Sequence, residues 1–111
     1  MDLAATHFIH INELKFMHKT FVIKIGTSTL THGTKRLSRR VMLELASQIS
    51  SLHEEGASIV LVTSGAVAAG REVLHSHVPE MILPSKQMLA SVGQVRLMEA
   101  WKDLFSIFNI A

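Results

Sequence analysis

The feature that most constrains the fold is a pair of short apolar segments, each ending in a glycine-bearing loop. The first spans residues 21–25 (FVIKI) and is followed by Gly26; the second spans residues 57–63 (ASIVLVT) and is followed by Ser64 and Gly65. Both segments are rich in β-branched residues, which is typical of buried strands. The second shows no polar alternation, so we expect it to be covered on both faces of its sheet.

One helical stretch separates the two strands. Ser38 is a candidate N-cap, and Gly56 suits the position just after the helix end. Residues 27–34, between the first strand and this helix, are predicted to form a loop. A strand, a helix and a second strand in this order favour a parallel sheet with a right-handed crossover. The apolar face of the helix is predicted to consist of Val41, Leu45, Ile49 and Leu52.

Two further helices are predicted after the second strand. Residues 66–74 form the first, and Ser85 caps a longer helix that reaches Phe108, with Gly93 as a possible kink. Pro79 and Pro84 bracket the loop between these helices. An apolar stripe on the longer helix is predicted to lie in the core, and it consists of Met98, Trp101, Phe105 and Phe108.

The composition is that of a globular domain, because 48% of the 111 residues are hydrophobic and 18% are charged. Residues 1–16 show no clean period and are interpreted as a tail or upstream extension. Residues 17–111 are interpreted as part of a folded domain. Residues 107–111 resemble the approach to a third strand. We therefore expect this chain to be the first part of a larger domain.

Several classes of function are disfavoured by the composition. The chain has no cysteine, so it cannot form disulfides or thiolate metal sites, and this fits a cytoplasmic location. Its apolar stretches are too short or too interrupted for a membrane span. The basic run at residues 35–40 is interpreted as a solvated loop, because only 5% of the residues are aromatic and the net charge is only +2. We expect neither nucleic acid nor a membrane as a partner.

The loop after the first strand has the components of a polyphosphate site. Gly26 permits a close approach of the backbone, Thr27 and Ser28 add donors, and Lys24 supplies a positive charge. Ligands of parallel α/β sheets bind at the carboxyl ends of the strands, where this loop lies. The alternative is an ordinary turn with a lysine at a strand end.

The loop after the second strand is a candidate carboxylate site. Ser64 and the amides of Gly65 and Ala66 stand at a predicted helix start, where small anions bind. Gly65 and Gly70 have the spacing of a Walker-type loop, but residues 71–72 are Arg and Glu in place of the required Lys and Ser or Thr. The alternative is a turn of small residues that allows close packing.

Three segments together resemble the amino-terminal part of the glutamate 5-kinases, which belong to the amino acid kinase superfamily. They are VIKIGTSTLT, IVLVTSGAVAAGRE and LPSKQMLASVGQVRLMEAWKDLFSIF, and the resemblance covers residues 20–111. It implies an α/β fold, namely the amino-terminal βαβ portion of a three-layer sandwich with a mainly parallel sheet. The kinase part of pyrroline-5-carboxylate synthases is similar enough to remain an alternative, as is a non-catalytic remnant or interaction module.

The resemblance also implies an activity and a set of site residues. The family transfers the γ-phosphoryl group of ATP, with Mg²⁺, to the side-chain carboxylate of L-glutamate, the first step of proline biosynthesis. A complete enzyme is expected to be a homo-oligomer, and no protein metal ligand is identified in this chain. The remaining glutamate and adenine contacts would lie beyond Ala111, so we expect the chain to be inactive alone. The residues implied for the ATP phosphates are Lys24, Gly26, Thr27 and Ser28, and Lys24 is also implied to be catalytic. Those implied for glutamate are Ser64, Gly65 and Ala66.

Overall fold

The computed structural model describes residues 18–74 and 85–110. Two parallel strands, β1 (Thr20–Ile25) and β2 (Ser58–Thr63), form its sheet. This confirms the predicted α/β class and both strands, although β2 begins one residue later than expected. The tail assigned to residues 1–16 and the loop bracketed by two prolines lie outside the described residues.

Four helices accompany the strands in the described part of the chain: α1 (Thr27–Thr31), α2 (Arg39–Glu54), α3 (Ala66–Leu74) and α4 (Lys86–Ile107). The last three are confirmed predictions. Helix α1 corrects the expectation of a loop over residues 27–34. Its five residues are too few to show a helical period, so periodicity could not reveal it.

The helix ends are capped as the sequence predicts. The hydroxyl of Ser38 accepts a hydrogen bond from the amide of Val41 at 3.3 Å, and that of Ser85 accepts from the amide of Met88 at 3.1 Å. Helix α2 ends before Gly56, whose φ of 96° lies in the left-handed region that glycine adopts without strain. The termini of α2 therefore follow from local side-chain chemistry, independent of tertiary packing.

Helices α2 and α4 cover one face of the sheet. From the sheet, Ile25 is buried in the core with Ile23 packed against it, and both side chains lie on the covered face. The buried residues of α2 are Met42, Ala46, Ile49 and Ser50, so the predicted stripe is displaced by about one position and only its Ile49 is buried. Val41, Leu45 and Leu52 flank this surface and are half-buried, because the apolar side of α2 is broader than a single stripe.

The aromatic stripe of α4 is confirmed for three of its four members. Trp101 is buried, and its ring stacks on Phe105 with centroids 5.8 Å apart. Phe108 is half-buried against the same core. Met98 is 41% exposed, so its assignment to the core was wrong. It lies at the border of the buried side of α4, next to Leu97 and Trp101 in the sequence pattern.

The other face of the sheet is uncovered in the described structure. Val22, Val60 and Val62 lie on it and are 61%, 50% and 47% exposed. The expectation that β2 is covered on both faces is therefore wrong for the described residues. The reason is that α2 and α4 both pack on the opposite face, so only the apolar side chains of β2 on that face are covered.

Two glycines allow α3 and α4 to cross in close contact. A Cβ on Gly93 would collide with the carbonyl oxygen of Ala66 and the amide nitrogen of Gly70, and one on Gly70 would collide with the backbone of Leu89. Helix α4 is continuous from Lys86 to Ile107, so Gly93 does not break it, and the kink considered there stays a prediction. Gly93 serves as a point of backbone contact between antiparallel helices.

We predict that Gly93→Ala destabilises the chain by at least about 2 kcal/mol, because the added methyl group meets backbone atoms that cannot rotate away. Gly26→Ala is the matched control. A Cβ at Gly26 meets nothing within 4 Å and its φ of −84° suits any residue, so we expect a loss below about 1 kcal/mol. Urea unfolding followed by circular dichroism measures both. Equal losses would contradict the close crossing.

Candidate functional site

The two predicted loops lie side by side at the carboxyl edge of the sheet. The strand register ends with Ile25 opposite Thr63, so the residues that follow each strand emerge together. The amide of Ser64 donates a hydrogen bond to the carbonyl of Ile25 at 2.9 Å, which continues the pairing one residue beyond β2. Gly26 and Ser64 therefore start their loops from adjacent positions, as the two halves of one site require.

Lys24 lies on the uncovered face of the sheet, one residue before the end of β1. It is opposite Val62 in the register, and its side chain is exposed. An ammonium group on a flexible stem is a mobile point charge that can reach a phosphate near the edge. Its placement is compatible with the predicted contact to phosphates, which stays a prediction.

The first loop presents backbone amides without intrahelical partners. Gly26 is the N-cap of α1 and has no side chain to accept from the first turn, where Thr27 and Ser28 are exposed. Glycine is not required at position 26 by the backbone, because a φ of −84° suits any residue. It is not required by packing either, because nothing lies within 4 Å of a Cβ placed there. That empty space is what a close approach of ligand oxygens needs.

The second loop divides into a structural part and an accessible part. Gly65 is buried with a φ of 110°, and a Cβ there would approach Leu37 at 3.1 Å, so conformation and packing both require glycine. Together with the α3–α4 crossing, this explains the Walker-type spacing of Gly65 and Gly70 by backbone conformation and packing. Ala66 begins α3 and is half-buried. Ser64 is exposed, and its hydroxyl makes no hydrogen bond with any described residue.

A hydrogen-bond relay that the sequence did not reveal supports this turn. The indole Nε1 of Trp101 donates to the hydroxyl of Thr63 at 3.1 Å, and that hydroxyl donates to the carbonyl of Ser64 at 2.8 Å. The relay connects α4 to the start of the second loop from the covered side of the sheet. No local signal could have found it, because 38 residues separate its partners.

Neither a metal centre nor a membrane span is found in the part of the chain that the structure describes. Over residues 18–74 and 85–110, no three His, Asp or Glu side chains gather where they could hold a metal ion. None of the helices described there combines the length and the apolar character needed to cross a bilayer. The polar groups described at the sheet edge are a lysine, backbone amides and hydroxyls, which suit phosphate and carboxylate oxygens.

We predict that Thr63→Val destabilises the chain by about 1–3 kcal/mol, because it leaves the buried indole N–H of Trp101 without its acceptor. Thr63→Ser keeps the hydroxyl and serves as the control, with a much smaller loss expected. Trp101 is the single tryptophan of the chain, so urea unfolding followed by its fluorescence reports directly on this contact. If Thr63→Ser lost as much stability as Thr63→Val, the relay would not be the stabilising element.

Comparison with known proteins gives one consistent result. The model of the amino acid kinase family matches residues 19–111. A glutamate 5-kinase of Haemophilus influenzae (strain Rd) is 53% identical over 93 residues, which cover 83% of this chain and 25% of that protein. The glutamate 5-kinases of Sodalis glossinidius and Escherichia coli O1:K1 are 51% and 52% identical over 92 and 94 residues, with the same coverage. The chain thus spans about a quarter of the length of these relatives.

Proposed function

The chain belongs to the amino acid kinase family, and from that premise we propose that it forms the amino-terminal part of a glutamate 5-kinase. The observation that carries the proposal is 51–53% identity to glutamate 5-kinases over 83% of this chain. The adjacency of the two loops at the sheet edge supports it. As in the family it resembles, the reaction would convert ATP and L-glutamate to ADP and L-glutamyl 5-phosphate.

The reaction needs positioning and charge stabilisation more than covalent help from the protein. An oxygen of the glutamate side-chain carboxylate attacks the γ-phosphorus, and the bond from that phosphorus to the bridging oxygen breaks. The electron pair leaves with ADP, and no proton has to be removed from the nucleophile because a carboxylate is already ionised. The protein must therefore hold two anions together and neutralise the charge that builds up between them.

Each loop has one part in this scheme. Lys24, exposed beside the sheet edge, would follow the phosphoryl group, while the amides and hydroxyls of Thr27 and Ser28 bind the phosphates near Gly26. The hydroxyl of Ser64, which has no hydrogen-bond partner among the described residues, would donate to the glutamate. Gly65 acts by shaping this turn, and Ala66 by starting α3 next to it. Mg²⁺ would enter bound to the phosphates of ATP and would neutralise part of their charge.

The remainder of the site is expected in the part of the relatives that this chain does not span. A glutamate pocket and a nucleotide pocket both need walls, and here the face of the sheet that carries Lys24 is uncovered among the described residues. We therefore propose that residues 1–111 alone do not turn over glutamate. A complete enzyme would act as a homo-oligomer in the cytoplasm.

A chimera tests the proposal. Residues 19–111 of this chain replace the matching segment of the Escherichia coli glutamate 5-kinase, which is 52% identical over 94 residues. We expect glutamate-dependent release of ADP from the chimera and none from the 111-residue chain. A chimera that has native circular dichroism but no glutamate-dependent ADP release would favour a non-catalytic remnant.

We predict that Lys24→Ala and Ser64→Ala in this chimera fail in different ways. Lys24→Ala should lower kcat on the order of 10²-fold or more, as loss of a transition-state charge stabiliser does, and Lys24→Arg should restore it only in part. Ser64→Ala should raise the KM for glutamate roughly 10- to 150-fold and leave the KM for ATP nearly unchanged. If Ser64→Ala weakened ATP instead, the assignment of the two loops would be reversed.

A further inference from the structure

A cationic cavity of about 470 Å³ lies apart from the candidate site. Three elements that are distant in the sequence form it: the loop before α2, helix α3 and helix α4. We name it the basic cavity. Its lining residues are Lys35, Arg36, Arg71, Glu72 and Arg96.

Glu72, the one carboxylate among the described lining residues of the basic cavity, is already paired. One oxygen of Glu72 lies 3.0 Å from Nη2 of Arg39, and the other accepts a hydrogen bond from the amide of Leu37 at 3.2 Å. Glu72 therefore fastens the loop that carries Lys35 and Arg36 onto α3, and Arg39, outside the lining, balances its charge. Four cationic side chains of the cavity are left without an ion pair to any described residue.

Packing holds these cations together although they repel one another. Arg36 and Arg96 are each followed by a leucine, and Leu37 and Leu97 are buried in the core at 7% and 0% exposure. Arg71 follows Gly70 at the α3–α4 crossing, where the helix cannot shift. Because the backbone holds these positions, a bound anion would lower the repulsion between the like charges.

The basic cavity is separate from the sheet-edge site. Neither Lys24 nor Ser64 lines it. The leucine side chains that surround Gly65, namely Leu30, Leu37 and Leu97, form an apolar layer beneath the turn that holds Ser64. An anion in the basic cavity would therefore not occupy the place assigned to glutamate or to the transferred phosphoryl group.

We propose that the basic cavity binds a small ligand through a diphosphate or triphosphate group. Three arginines offer planar pairs of N–H donors, which match phosphate oxygens two at a time. Four positive charges without an ion pair among the described residues match a diphosphate or triphosphate better than a single carboxylate. The volume lies within the range of small-molecule sites, about 300–1,000 Å³, so inorganic diphosphate and the phosphates of a nucleotide both fit. The inference does not depend on the proposed kinase function.

Calorimetric titration of the 111-residue chain tests the proposal, with sodium pyrophosphate as the probe at constant ionic strength and without Mg²⁺. We expect saturable binding at one site. Arg71→Gln and Arg96→Gln should each raise the Kd at least about tenfold, since each removes hydrogen bonds between charged groups. Arg40→Gln removes an exposed arginine of α2 that does not line the cavity, and it should leave the Kd within about twofold. Circular dichroism confirms that each variant keeps its helices.

Further titrations identify the kind of phosphate ligand and distinguish the basic cavity from the sheet-edge site. Titrations with ADP and with inorganic phosphate show whether a nucleoside adds affinity and whether one phosphate suffices. Because Lys24 belongs to the sheet-edge site, the comparison is repeated in the Lys24→Ala background, where Arg71→Gln should still raise the Kd for pyrophosphate at least about tenfold. The proposal is overturned if pyrophosphate does not bind, if Arg40→Gln weakens it as much as Arg71→Gln, or if Lys24→Ala abolishes it. The last result would place the phosphates at the sheet edge and would leave the proposed kinase site intact.

Discussion

The parallel pairing of β1 with β2 is the constraint on which the candidate site depends. It aligns Ile25 with Thr63, and the hydrogen bond from the Ser64 amide to the Ile25 carbonyl extends the pairing into the second loop. A slip by one residue would turn Lys24 to the covered face and leave its charge in the core, at a large cost in free energy. The register that buries the isoleucines of β1 is thus also the one that exposes the lysine.

Local chemistry accounts for what could be predicted of the fold. The caps at Ser38 and Ser85 and the stop at Gly56 are decided within a few residues, so the bounds of α2 and the start of α4 follow from the sequence. Whether one or both faces of β2 are covered depends instead on tertiary packing. Val60 and Val62 are apolar whether or not a second layer packs on them, so composition cannot tell how many faces are covered. The close backbone contact at Gly93 could not be predicted, because it depends on the position of α3.

The sequence predicts those parts of the candidate site that are formed by residues close together in the chain. Each loop follows its own strand, and parallel pairing places both at one edge, so their adjacency could be expected. The relay from Trp101 through Thr63 joins residues far apart in the chain and needs the tertiary structure. The basic cavity is of the same kind: Arg71 and Arg96 belong to different helices, and only the crossing of those helices brings them together.

The crossing of α3 and α4 also limits how this protein can change through mutation. Glycine has the fewest atoms of any residue, so every missense change of the codons for Gly70 or Gly93 adds atoms where the other helix already has its backbone. No second substitution can clear the space, because the obstructing peptide atoms are common to all residues. Exposed neighbours on α4, such as Val95, have no such obstruction. Substitutions in this helix pair are therefore tolerated at its exposed surface and excluded at the crossing.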